Sequence, residues 1–575
     1  MERILELTEI LQTDLLIVGA GAAGMNAAKA AAEQGVSVIL ADKSIYGRGG
    51  ATVMAQMTVA VALGEEEEDS PELHFQDTVT GGRGLAEERL ARVFAELAPR
   101  CIRELGELGV NWARRDGHIA QVHAPGHSRK RCVYVDVLSS GKAVSQTLQK
   151  VVRRFPNVRR MSNLFVVDLV VHDGEAAGAV ALDVERGELY FIEAKAVILA
   201  AGGLTDLYAR TSASSNMTGD AYALAARAGL RLIDMEMVQF FPIGTLYPRL
   251  VGFDPVMWDP FRYKLGGRLL NGLQEEFIHR YGSSDEGKYT APRDVATLAI
   301  LSEVKAGRGS PHGGAYLDFR DIPESKMYEA WGGVIDQLKE QGLDLTQQQV
   351  EVAPIAHFMI GGIAVNDRLE TAIPGIFAAG EATGGTHGAN RLSGNALTEA
   401  IVHGVLAGQS AAQYIRGQRQ NASFVGMTQP VRELIERVEG LLGRNSRTGG
   451  STGERAPSAA AVKRDLRSLM WEKVGPFRHG KDLQEAVAEL KRLRDDVLPL
   501  LEVPQQRDFN LQWLERLELE NMILVGLSIT ESALARKESR GAHQRLDFEQ
   551  TVEEQQLHYL WSQDGLETRP VGGVF

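Results

Sequence analysis

The 575-residue chain holds only two cysteines, Cys101 and Cys132. An iron–sulfur cluster usually takes four thiolates, so this chain cannot carry one alone. Two cysteines build no disulfide framework either, and both read as reduced thiols of a cytosolic protein. Long apolar runs are missing: none approaches the roughly 20 residues that span a bilayer, and the charged start MERILELTE is not a signal peptide. A surplus of positive charge is missing too. The formal net charge of −13 argues against nucleic-acid or anionic-membrane binding. His123 and His127, beside Arg129-Lys130-Arg131, show no metal-ligand spacing. What is left is an ordinary globular composition, 44% hydrophobic and 24% charged, long enough for two to four domains.

The informative stretch is DLLIVGAGAAGMNAAKAAAEQGVSVILAD, residues 14–42. Leu15 to Val18 reads as a buried parallel strand, followed by a glycine turn, a small-residue helix from Met25 to Gln34, and a second strand ending on Asp42. Each part suits a dinucleotide. Gly19 permits a tight turn, Gly21 lets backbone approach a pyrophosphate, and Gly24 lets helix pack on strand. The helix N-terminus, with Ala22 and Ala23, offers N–H groups and a favourable dipole to phosphates. Asp42, eighteen residues past Gly24, stands where an acid meets a ribose hydroxyl.

Beyond it, KSIYGRGGATVMAQ is glycine-rich and can lie against a flat ligand, and Glu65 to Glu68 is a solvated acidic run. Residues 71–110 have helical spacing. Phe165 to Gly203 reads as a small β-meander returning to a buried strand, KAVILAAGG. From 236 to about 350 aromatics and prolines cluster and the βαβ rhythm stops, which suggests an inserted cap. IPGIFAAGEATGG resumes the nucleotide-domain character, a long helix follows, and residues 443–461 have linker composition before a leucine-rich helical end. The expected fold is α/β: a discontinuous Rossmann-like dinucleotide-binding domain (1–235 and 352–425), an inserted α+β capping domain (236–351), and a C-terminal helical domain (426–575).

VGAGAAGMNAA, ILAAGG, NMTGDAYALAARAG, APRDV, HFMIGG, PGIFAAGEATGGTHGANRLSGNALTEA, LMWEKVG and LARKESRGAH occur in the order typical of one family. The sequence resembles the flavoprotein subunits of succinate dehydrogenase and fumarate reductase, with L-aspartate oxidase and adenylylsulfate reductase as relatives. That resemblance implies FAD at the junction of cap and FAD domain. The implied contacts are Gly19, Gly21, Ala22, Ala23, Gly24, Asp42, Lys43, Gly50, Ala51, Gln56, Ala201, Gly202, Asp220, Gly380 and Glu381. Ser393, Asn395, Ala396 and Leu397 would start a helix aimed at the flavin, together with Arg391. A helix N-terminus there stabilises negative charge on the reduced ring. The implied chemistry is hydride transfer between flavin N5 and a carbon next to a carboxylate. His357 and Arg391 match the carboxylate clamp, and Arg293 matches the proton donor or acceptor, a role that needs a local relay because a guanidinium hardly deprotonates. The plain alternative for Arg293 is an ion pair with Asp294 or another acid.

Three departures matter. The position of the family's FAD-linking histidine falls on Ala51, and no histidine lies between Asp42 and His74, so FAD is expected to be non-covalent. Phe241 and Ile243 replace the histidine and threonine that help to hold a second carboxylate. Leu265, in Tyr263-Lys264-Leu265-Gly266-Gly267, replaces the glutamate of the proton relay; Lys264 or Arg262 could supply charge instead, and the alternative is that one of them replaces the lost contacts and fumarate still binds. Apolar side chains against a buried carboxylate cost on the order of several kcal/mol. The expected enzyme is therefore an FAD-dependent oxidoreductase acting on a small organic acid or acyl substrate that is not a standard dicarboxylate. It would exchange electrons with a separate iron–sulfur subunit, with no membrane insertion of its own, in the cytoplasm or on the inner face of a membrane through partner subunits. The alternatives are a stand-alone L-aspartate oxidase-like or adenylylsulfate reductase-like flavoenzyme, or an electron-transfer module without a small substrate.

Overall fold

A computed structural model of the chain describes residues 8–573 apart from 57, 137, 251–255, 259–260, 263–264, 282–292, 418–427 and 444–456. Its centre is a seven-stranded sheet. Strand β1 (Thr8–Val18) is followed by helix α1 (Ala22–Ala32), β2 (Val38–Ala41), β3 (Val158–Met161) and an antiparallel meander, β4 (Leu164–His172), β5 (Glu175–Asp183) and β6 (Glu188–Leu199). The order is β3-β2-β1-β6-β5-β4. The long β6 pairs with β1 along its whole length, from Thr8↔Leu189 to Val18↔Leu199. On its other edge the first half meets β5 and the last three residues meet a strand from far downstream, Ile376–Ala378. That late strand makes the nucleotide domain discontinuous.

The inner strands are apolar on both faces because helices cover both. Every residue of α1, AAGMNAAKAAA, is buried. Its alanines let a later helix, Asn395–Gly417, come unusually close: a Cβ on Gly404 or Gly408 of that helix would lie 2.3 Å from Ala23 O or 2.4 Å from Ala27 O.

The inserted segment has its own antiparallel sheet and its own core, which includes Phe241, Ile243, Trp258, Phe319 and Trp331. Its two long strands, Val238–Tyr247 and Val350–Met359, pair from Val238↔Met359 outward. The first begins just inside the expected cap, the second crosses its expected border at 351, and they carry Phe241 and His357 at the ends next to the nucleotide domain. After the helices Ala459–Lys473, Gly480–Arg492 and Leu511–Ala535, the C-terminal part does not stay helical. It ends in a hairpin, Leu557–Ser562 with Gly565–Pro570, whose first strand pairs with Leu232–Ile233. Alternation in LHYLWS and the turn residues Asp564-Gly565 carry that signal. No helix among the described residues is long and apolar enough to cross a membrane.

Candidate active site at the junction of nucleotide domain and cap

A cleft of ≈ 1770 Å³, the open solvent at its mouth included, lies at the carboxyl ends of the central strands, the place where open α/β sheets bind ligands. Its floor is the glycine turn. Gly19 has φ +102°, and a Cβ there would lie 2.4 Å from Ala200 O; one on Gly24 would lie 1.8 Å from Gly19 O. Helix α1 starts at Gly21 without a side-chain cap. Thr52, from the glycine-rich loop, accepts a hydrogen bond from Ala22 N at 3.0 Å. Asp42 fastens the same turn: Oδ2 accepts from Ala20 N at 2.9 Å, and Oδ1 from Ser44 N and Oγ at 2.8 Å each. Burial raises its pKa despite these donors.

Apart from Gly24, Gly380 and Asn395, every residue expected from the sequence to meet FAD or substrate lines this cleft. Gly24 and Gly380 act in packing, the latter with φ +69° and room for a Cβ only 3.0 Å from that of Ala23. Asn395 is turned away, holding His74 Nε2 at 2.9 Å and donating to Thr78 Oγ1 at 3.2 Å. Lys43 and Asp220 reach the cleft wall but spend their charges on each other at 2.8 Å, and Lys43 also meets Glu518 at 2.7 Å from the C-terminal helix. Asn521 donates to Asp220 at 2.9 Å. Glu381 takes Met359 N at 3.0 Å, and burial pushes its carboxyl up to about 7. Sequence reasoning did not single out Thr52, Phe165, Ser212, Asn216, Met217 or Phe358, which also line the cleft. Thr52, Asn216, Met217 and Phe358 fall inside stretches quoted above, but nothing in those stretches says which side chains face the ligand; only the fold does.

The far end of the cleft is cationic. Arg391 is almost wholly buried; Nη1 donates to Leu392 O at 3.0 Å, while Nε and Nη2 have no hydrogen-bond partner among the described residues. Its guanidinium lies 4.5 Å from the Phe358 ring centroid. Burial and the neighbouring Arg293 push its pKa down. Arg293 donates to Gln239 Oε1 at 3.3 Å and to Ser393 Oγ at 3.4 Å, over the Phe241 ring at 5.0 Å. Asp294, the alternative ion-pair partner for Arg293, instead holds Arg83 at 3.2 Å. His357 Nδ1 faces Ser212 Oγ at 2.8 Å. Burial, Arg293 and Arg391 hold this imidazole well below its usual pKa, hence neutral. Phe241 closes the end, 5.3 Å from the His357 ring. Ile243 and Leu265 belong to the cap core, and the buried Arg262 is not on the cleft wall. Lys264 lies outside the described residues.

Two family models match the chain: an FAD binding domain over residues 14–397 and the C-terminal part of fumarate reductase flavoproteins over 463–572. Among curated proteins, one subunit of the fumarate reductase (CoM/CoB) of Methanothermobacter marburgensis is 35% identical, covering 95% of this chain and 96% of its own. The fumarate reductase flavoprotein subunit of Escherichia coli is 32% identical over 96% of this chain and 91% of its own. A solved structure of the E. coli quinol fumarate reductase matches with TM-score 0.89 at 31% identity, covering 98% of this chain and 97% of the other. The site and these likenesses define an FAD-dependent oxidoreductase. The chain belongs to the fumarate reductase/succinate dehydrogenase flavoprotein family. The cleft fits FAD on its own terms, because the glycine turn leaves no space for side chains and the start of α1, whose first N–H goes to Thr52, offers its dipole and its other N–H groups to a pyrophosphate.

Proposed function

We propose that this chain is the flavoprotein subunit of an oxidoreductase that acts on a carbon–carbon bond next to a single carboxylate, with FAD held non-covalently. When bound, FAD supplies two-electron oxidation and reduction. The observation that carries the substrate reading is Arg391, whose buried Nε and Nη2 have no partner among the described residues and stand beside Arg293 and a neutral His357. Such a cluster is incomplete without an anion, and a guanidinium fork suits a carboxylate. In this reading Arg391 and His357 hold the carboxylate, and Arg293, steadied by Gln239 and Ser393, adds positive charge beside the reacting carbon; proton transfer through it needs a relay that Leu265 does not supply. Phe241 faces the far end of the substrate, where a second carboxylate would lose its hydrogen bonds. Non-covalent attachment is supported by the cleft's histidine inventory: His357, at the cationic end, is the only histidine on its described wall.

The M. marburgensis relative is named as part of a fumarate reductase, which supports reduction of an unsaturated acid in a multi-subunit enzyme. A separate iron–sulfur subunit is supported by the two cysteines, both free and buried. The same thiols suit the cytoplasmic side. The test is anaerobic: reduce the flavin fully, add crotonate or fumarate in excess, and follow recovery of the oxidised absorption band. Recovery within seconds with crotonate and far slower with fumarate is expected. Equal or faster recovery with fumarate would overturn the single-carboxylate reading.

A further inference from the structure

Ser212 stands behind the histidine of the cationic end. The loop that carries it runs alongside the strand Val350–Met359, and Ser212 N donates to Ala356 O at 2.9 Å. Its hydroxyl has one proton and two candidate acceptors, His357 Nδ1 at 2.8 Å and the same Ala356 O at 3.3 Å. The carbonyl is already served by the serine's own N–H, and it is the longer contact. His357 Nδ1 is the shorter one, and no other described group reaches its lone pair. The opposite nitrogen, Nε2, makes no hydrogen bond to a described residue, and the ring lines the cleft.

A neutral imidazole has one N–H, and the partner of one nitrogen decides what the other can do. If Nδ1 accepts, Nε2 is a donor and can bind a carboxylate. If Nδ1 donates, Nε2 presents a lone pair, which repels one. We infer that Ser212 is a positioning residue that donates its hydroxyl proton to Nδ1 of His357 and so fixes the imidazole as the Nε2–H tautomer, a hydrogen-bond donor into the cleft. The desolvated, cationic setting keeps the ring neutral, so the choice of tautomer is the whole of its donor capacity. The consequence for ligand rests on the carboxylate reading of the site; the tautomer assignment does not.

The two are separated by measuring the ring directly. In the FAD-loaded protein with ¹⁵N-labelled histidine, His357 is identified by the resonances missing from a His357→Asn sample. It is expected to show a protonated Nε2 and an unprotonated Nδ1. Ser212→Ala is expected to shift the ring toward the Nδ1–H form, and Ser212→Thr to restore it. Titrating acetate against the oxidised flavin band, Ser212→Ala is expected to weaken binding roughly 10–100-fold, with the threonine variant close to wild type. A wild-type ring protonated on Nδ1 overturns the inference without any variant, and so does an alanine variant with an unchanged tautomer. If the tautomer pattern is as expected but neither acetate nor fumarate perturbs the flavin, Ser212 keeps its role and the carboxylate reading falls.

Discussion

Arg391→Met should make the protein at least as stable as wild type while disabling it. Arg391 is 3% exposed, and its guanidinium makes one hydrogen bond among the described residues, to Leu392 O at 3.0 Å. Burial and Arg293 outweigh the attraction of Glu381 and Glu399 and bring its pKa down to about 9. At about 1.36 kcal/mol per unit, a fall of that size is a cost of several kcal/mol for keeping the charge at neutral pH. Set against it are the hydrogen bond, about 1.5–3 kcal/mol for a charged donor, and the contact with the Phe358 ring, about 0.5–2 kcal/mol. Methionine keeps a flexible apolar stem against that ring and removes the charge. The balance comes out between neutral and roughly 3 kcal/mol in favour of the variant, in line with apolar replacement of poorly compensated buried charges. Urea unfolding of the FAD-loaded proteins, followed by tryptophan fluorescence and flavin release, reads this out. Turnover on the carboxylate substrate should fall roughly 30-fold to several-thousandfold, because truncating one side of a desolvated charge pair costs about 2–5 kcal/mol. A variant destabilised by more than about 2 kcal/mol would refute the reasoning, since Arg391 would then be paired before any substrate arrives.

Gly24→Ala puts a methyl 1.8 Å from a backbone oxygen that cannot yield; the purified protein should be insoluble or free of FAD, and a stoichiometric flavin spectrum would contradict the packing argument. Lys43→Met strands the buried carboxylate of Asp220 and leaves Glu518 only the more distant Lys463; a loss of about 3–5 kcal/mol is expected in urea, and the double variant with Asp220→Asn should recover part of it. His558 lies between Asp234 at 2.5 Å and Glu87 at 2.9 Å; burial alone would lower its pKa, but the two carboxylates raise it to about 10. Its folded pKa therefore exceeds its unfolded one, so its stabilisation is complete below roughly pH 6.5 and is lost as pH rises through about 10. The urea midpoint should drop over that interval, and His558→Gln should flatten the drop.

The local pattern of this chain was enough to place the nucleotide turn. The strand–glycine–helix–strand period, the first and third glycines and the acid at Asp42 are written within about thirty residues, and each answers to short-range geometry. Family motifs extended that reading to Arg293, His357 and Arg391, which are far apart in the chain and meet at one end of the cleft. Direction was not legible. Asn395 is next in the chain to the cleft-lining Gly394 and Ala396, but the turn of its helix points the amide at His74. Lys43 is next to Asp42, yet its charge is claimed by Glu518, 475 residues away. The C-terminal hairpin needed Leu232–Ile233 as a partner, and one short alternating run carries too little signal without one. Sequence alone thus determined which chemistry the chain is equipped for, because the tight glycine turn and the strand and helix periods are properties of neighbours in the chain. Tertiary structure decided which side chains face the ligand and which brace the wall, because that depends on charges and surfaces that only folding brings within a few ångströms.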